Sequence, residues 1–240
     1  MNNLIEETKT LGKPAWRPML RYVAELHARS TRPPRAPFPY PWEEIGPGYC
    51  YGPAFGHWDL VHANLDAMVS EPEHARQQLL NNLAAQEESG LLPGVIWMRD
   101  EEPRWSHEVS HPPVWPVAVQ DYCTHPISTV GVEDPLFELR MWRGPAWNSM
   151  TYWAARGCLG YEHALGSLSV NAAHALLEPA LDNSAAQFDR TGTVWEFYHP
   201  HGGRPEDVQR KPHTPYNQPC RDYLGHNPLI AMARLWDQSA

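Results

Sequence analysis

From Pro18 the segment PMLRYVAELHARS sets Leu20, Val23 and Leu26 on one face of an amphipathic helix, and the TRPPRAPFPYPW run that follows cannot continue it. A first helix therefore ends near Ser30. Ser70 with Glu73 reads as a capping box, Pro72 fits a first turn, Leu79, Leu80 and Leu83 form an apolar stripe, and Gly90 supplies a stop. Further helices are predicted at about 59–69, 113–123, 145–156, 160–178 and 228–237, several opening on proline, whose missing N–H costs nothing there. Period-two alternation is scarce. Only TGTVWEFYHP reads as extended, and 200–227 is a long Pro/His/Gly loop that should be functional or packed. The pattern predicts an all-α fold, with residues 1–240 forming a single domain.

One theme recurs four times: an aromatic, polar loop that turns directly into a helix. The four are FGHWDLVHANLDAM, SHPPVWPVAVQDY, MWRGPAWNSMTYW and DYLGHNPLIAMARLW. Helices packed side by side in one direction would bring these loops to one end, lining an aromatic and polar cleft that suits a sugar better than a lipid or a phosphate.

Composition sharpens this. With 240 residues, 42% hydrophobic and 20% charged, the chain can bury a sizeable core and is not of the disordered class. A net charge of −9 argues against nucleic acid as a partner. Cys50, Cys123, Cys158 and Cys220 lie tens of residues apart without a CxxC pair, which predicts reduced, buried thiols. The opening MNNLIEETKTLGK lacks a basic region and an apolar stretch, so neither export nor a membrane span is expected, and the cytoplasm is the expected compartment. The 25 Pro, 11 Trp, 10 Tyr and 13 His suggest aromatic-lined loops shaped by proline on a rigid scaffold.

The sharpest motif match is HEVSH, His107 to His111, the H-E-x-x-H pattern of zinc peptidases with Glu108 as the would-be base. Pro103 and Pro112 leave room for barely one helical turn, and no third ligand is suggested by spacing, so a zinc site is a lesser reading and no metal or other cofactor is expected. Trp58 and Asp59 at a first helical turn read either as a dipole-favoured acid beside a core Trp or as a sugar platform with a hydroxyl-accepting carboxylate. Trp142, Arg143 and Trp147 surround a Gly-Pro turn. Glu196, between Trp195 and Phe197, is a candidate acid or base whose burial would raise its pKa unless an Arg or a water network opposes it. No GxGxxG, GxxxxGK[ST] or GxSxG occurs, which sets aside dinucleotide, phosphate-loop and Ser-nucleophile chemistry.

MWRGPAWNSMTYWAARGCLGY resembles glycoside hydrolase family 63, especially its mannosylglycerate hydrolase-like branch, related in fold to trehalases. In that family a Trp-Arg-Gly-Pro-x-Trp segment precedes an inner helix, and Trp142, Arg143, Gly144, Pro145 and Trp147 match it. Trp58 and Asp59 match the family's Trp-Asp pair, and Gln86, Gly90 and Pro93 its Gln-x-x-x-Gly-x-x-Pro. SHPPVW is similar to the family's Ser-Gln-Pro-Pro, with His111 in place of Gln. Glu196, Phe197, Tyr198 and Pro200 resemble its Glu-(Tyr/Phe)-Tyr-x-Pro, whose Glu is the catalytic base. The family's general acid sits on a long stretch before Trp-Arg-Gly-Pro, where this chain has only the 25 residues Val117 to Met141.

The resemblance implies an incomplete or reduced (α/α)6 toroid, a six-hairpin glycosidase-like fold with about seven helices where twelve are usual. It implies an inverting glycosidase acting on a small or terminal glycoside, with Glu196 as base and Trp58, Asp59, His111, Trp142, Arg143, Trp147 and Tyr198 as binding residues. Asp121, Asp222, Glu108 and Asp59 are candidates for the acid, Asp59 being better suited to binding hydroxyls. The alternative is a sugar-binding relative without catalysis. Helices deprived of the missing segment should carry an apolar flank, to be covered by a homodimer or a partner chain that completes the barrel.

Overall fold

The computed structural model describes residues 1–111, 135, 138–200 and 202–239. It is mostly helical, with eight α-helices among the described residues: α1 Asn2–Glu7, α2 Arg17–Ser30, α3 His57–Ala67, α4 Pro72–Ala84, α5 Asn148–Gly160, α6 Glu162–Leu165, α7 Ser167–Thr191 and α8 Leu229–Gln238. Two small two-stranded antiparallel sheets accompany them, β1 (Thr31–Arg32) with β2 (Trp42–Glu43) and β3 (Ala54–Gly56) with β4 (Val95–Trp97), the second pair bracketing α3 and α4. The helix expected at 113–123, with Asp121 and Cys123, lies outside the described residues.

At the centre is α8, in which every residue from Leu229 to Leu235 is buried because α2, α3, α5 and α7 all pack on it. Its one buried cation, Arg234, pairs with Glu7 (2.5 and 2.7 Å) and donates to the carbonyls of Leu65 and Asp66 at 3.1 and 2.8 Å, closing the C-terminal end of α3. The α2 stripe is as expected, with Leu20, Val23 and Leu26 fully buried. The helix expected over 160–178 is instead α6 and a longer α7, parted at Gly166, whose φ of +53° suits glycine. Gly192 then ends α7 in the left-handed conformation, its N–H donating to the Phe188 carbonyl.

Two expectations about α4 are corrected. Ser70 does not cap it: the Ser70 hydroxyl donates to the Glu7 carboxylate, while Glu73 pairs with Arg76 at 2.6 Å. Nor are the leucines its buried face, since Leu83 is exposed and Ala75, Gln78, Asn81 and Asn82 face inward. The reason lies in the proline-rich loop, which has few internal backbone bonds. Gln78 accepts from Glu43 N and donates to the Pro41 carbonyl, and Asn81 bonds Tyr40 N and the Pro41 carbonyl, at 2.8 to 3.1 Å. An amide face therefore serves a backbone that cannot serve itself.

The segment TGTVWEFYHP, expected to be extended, is not a strand: Thr191 ends α7, Gly192 is left-handed, and the rest bends between isolated bridges of Trp195 with Arg221 and Ala146 with Tyr198. An apolar groove of about 340 Å³ lies open between α5 and α7, lined by Gly157, Cys158, Tyr161, Leu165 and Leu168. Among the described residues no helix is long and apolar enough to cross a membrane.

Candidate active site

Strand β3, paired with β4, ends at Gly56, which is also the N-cap residue of α3, so His57, Trp58 and Asp59 form the first turn of a helix that leaves directly from the strand. Asp59 is only 5% exposed and is wedged between two glycines. A Cβ on Gly56 would stand 2.2 Å from Asp59 Oδ2, and one on Gly225 would stand 2.0 Å from Oδ1. Tyr223 donates its hydroxyl to Oδ1 at 2.8 Å, and His226 Nε2 lies 3.9 Å from the same oxygen. Burial pushes the Asp59 carboxyl up, a charge on His111 and the Tyr223 hydrogen bond oppose it, and the negative Glu196 adds to the rise.

A wall of indoles stands beside this carboxyl. Trp142 stacks on Trp147 with ring centroids 3.8 Å apart and planes 3° from parallel, and Trp58 is 6.2 Å from Trp142. His226 sits within 5.8 Å of all three indoles. Trp147 is buried and donates Nε1 to the Met141 carbonyl at 3.1 Å, whereas Trp142 is 39% exposed and forms the outer edge of the wall.

Glu196 lies on the bent segment that follows α7, held by its backbone N–H on the Cys220 carbonyl (2.9 Å). Its Oε2 accepts from Arg210 Nε at 2.7 Å and from Cys220 N at 3.1 Å. Both partners of this ion pair are almost fully buried, and the carboxylate raises the Arg210 pKa against the opposing pull of burial. Glu196 and Asp59 both act on Tyr223, whose phenol is pushed well up by burial and by these two negative charges.

Behind the wall, Ser149 Oγ shares a hydrogen bond with His226 Nδ1 at 3.1 Å, and the opposite ring nitrogen faces Asp59. The three have the order of a serine-nucleophile triad, but 3.9 Å is too long for a hydrogen bond and Ser149 is wholly buried, so Ser149 orients the imidazole. Burial, with His62 and His111 nearby, keeps His226 neutral by lowering its pKa well below the usual value.

Of the residues expected in a site, Trp58, Asp59, Trp142 and Trp147 come together, and His111 acts electrostatically on Asp59, His57 and His226. Glu196 acts on Tyr223 and Asp59 electrostatically and bonds neither among the described residues. Arg143 lies apart, half exposed and paired with Glu138 at 2.8 Å. Tyr198 is a core residue whose hydroxyl accepts from Trp195 N at 3.3 Å. Asp222 accepts from Tyr22 and Thr193, and Glu108 is exposed. HEVSH forms bends and extended chain, with His107 paired to Glu87 at 2.6 Å and His111 against Gly94. Tyr223 and His226 were missed as individual residues although their loop carries the loop-to-helix theme. Arg210 had no local signal beyond its place in the long Pro/His/Gly loop.

No family model matches the chain, and neither a curated protein nor a solved structure matches it.

Proposed function

We propose that the chain is a glycosidase-type hydrolase of reduced (α/α) toroid type, acting on a small or terminal glycoside with inversion. The observation that carries this reading is the buried Asp59, held by Tyr223 and within the electrostatic reach of Glu196, beside the Trp58, Trp142 and Trp147 wall. Apolar sugar faces stack on indoles while carboxylates accept their hydroxyls. Glu196 is the base: its ion pair with Arg210 occupies Oε2, and among the described residues no hydrogen bond occupies Oε1, the oxygen that would take a proton from water. Asp59, pushed up by burial, is the best-placed described candidate for the proton donor to the leaving oxygen.

Each carboxyl then does what its surroundings favour. Glu196→Gln should lower glycoside hydrolysis by about two to four orders of magnitude, and full activity in that variant would remove Glu196 from the role. Proton NMR of the first-formed sugar should show the inverted anomer.

A second reading is a sugar-binding protein without turnover, favoured by the burial of Glu196 and its ion pair with Arg210, an arrangement that also serves structure alone. A glycoside panel followed by thermal shift separates the two. Saturation near 100 Kd adds about 2.7 kcal/mol of stability, and a shift without product selects the binder.

A further inference from the structure

The loop 46–52 lies backbone to backbone on residues 221–224. Ile45 N–H donates to the Ala54 carbonyl, Leu224 N–H donates to the Ile45 carbonyl, both at 2.9 Å, and a Cβ on Gly48 would fall 1.7 Å from the Arg221 carbonyl. This contact sets Cys50 beside Cys220 in one small apolar cluster with Ile45, Ala54 and Tyr223. Both are free thiols, 170 residues apart in sequence, Cys220 buried and Cys50 half-buried. Cys220 is the residue whose backbone N–H and carbonyl hold Glu196.

We propose that Cys50 and Cys220 are an oxidisable dithiol, a modification site at which hydrogen peroxide converts the pair to a disulfide. The half-buried Cys50 is the attacking group and the buried Cys220 the resolving one. Cys50 thiolate attacks the peroxide, the O–O bond breaks, and the departing hydroxide takes up a proton to become water. The resulting Cys50 sulfenic acid is then attacked by Cys220 sulfur. The S–S bond forms, the sulfenic oxygen leaves as a second water, and the thiol proton leaves with it. Two thiols are oxidised and one peroxide is reduced.

The surroundings favour this division of labour. The neighbouring Cys220 thiol, helped by Arg210 and Lys211 against burial and the negative Glu196, brings the Cys50 thiol down to about 7. The neighbouring Cys50, burial and the negative Glu196 push the Cys220 thiol up. Gly46 and Gly52, at φ of +142° and +87°, flank the Cys50 turn and leave it free to adjust when the sulfurs close. Cys158, on α5 in the open apolar groove, shares its cluster with no other cysteine among the described residues and serves as the internal control.

The test uses the full chain as a C123S/C158S variant treated with one equivalent of hydrogen peroxide. The intact mass should lose two hydrogens, alkylation of both remaining thiols should stop, and a dithiol reductant should restore both. In the native chain at pH 7, Cys50 should alkylate at least about tenfold faster than Cys158. A C220S variant should retain Cys50 as a sulfenic acid trapped by a cyclic 1,3-diketone, which keeps the proposal open to test where C50S fails to fold. Thiols that stay alkylatable after peroxide, or disulfides only between chains, would overturn it. Any effect of oxidation on turnover rests on the reading of Glu196 as base, whereas the disulfide itself does not.

Discussion

The two ends of α3 are built from the same residue types and treat them differently. At the distal end Asp66 accepts from Ala231 N at 2.7 Å and lies 3.5 Å from His27 Nε2, while His27 Nδ1 meets Glu43 at 2.6 Å and His74 meets the other Glu43 oxygen at 2.8 Å. Burial acts against the charge on His27, and its two carboxylates reverse the effect and raise it to about 10, while Glu43 falls to about 2. Each carboxylate there has a histidine partner, although burial still raises Asp66. At the leading end, among the described residues, Asp59 has one side-chain hydrogen bond, from Tyr223, and His57 Nε2, Trp58 Nε1 and His111 Nδ1 are buried without a partner. A sealed network stabilises the fold, whereas donors left free beside a raised carboxyl are what a ligand or ordered water can use.

Breaking the sealed end should have the largest effect. His27→Ala leaves Glu43 and Asp66 buried without their cation, and denaturant unfolding should show a loss of about 3–5 kcal/mol. A loss below about 1 kcal/mol would mean that the distal network is not a structural anchor. The same network sets a pH window. The His27 contribution is full below its unfolded value of 6.5 and is lost as pH rises through about 10. That of Glu43 is full above its unfolded value of 4.5 and is lost as pH falls through about 2. Both contributions are full between these two unfolded values, while Asp66, whose carboxyl burial raises, takes stability away as pH rises above its unfolded value of 3.8.

Crowding the leading end comes next. Gly56→Ala drives a methyl group into the Asp59 carboxylate and should cost about 1–3 kcal/mol by urea unfolding. Gly157→Ala, inside α5 with nothing within 4 Å of the new carbon, should instead gain about 0.5–1 kcal/mol.

Smaller still is Asp59→Asn, which keeps an acceptor for Tyr223 and removes a carboxyl whose pKa is raised in the folded state. Above the unfolded value of 3.8 the unfolded chain loses that proton while the native chain holds it, so stability falls as pH rises, and the amide should flatten the fall. Chemical unfolding at pH 4 and pH 7 reads the difference. A gain in stability at neutral pH together with lost hydrolysis is the expected mark of a functional end. Leu168→Glu, on the open groove, should shift stability by no more than about 0.5 kcal/mol, as for a solvated surface position.

Local pattern made α2 and α8 legible, because apolar spacing is a property of neighbours. It also singled out the loops that bring Trp58, Trp142 and Trp147 together. The amide face of α4 escaped because its partners are backbone groups of another segment, and a leucine stripe is the only signal that periodicity offers there. Arg210 and Tyr223 escaped for the same kind of reason. Arg210 meets Glu196 across 14 residues of irregular chain and Tyr223 meets Asp59 across 164, distances over which no periodic signal survives.

The glycines around Asp59 also have a consequence for how this site can change over generations. Gly56 and Gly225 have no room for a side chain while position 59 carries a carboxylate, so the three positions form one epistatic unit. In a saturation library selected for folding, alanine at 56 or 225 should be enriched in clones that have glycine, alanine or serine at 59 and depleted in those that retain Asp. A lineage that abandons the carboxylate gains freedom at both glycines, and one that keeps it inherits both.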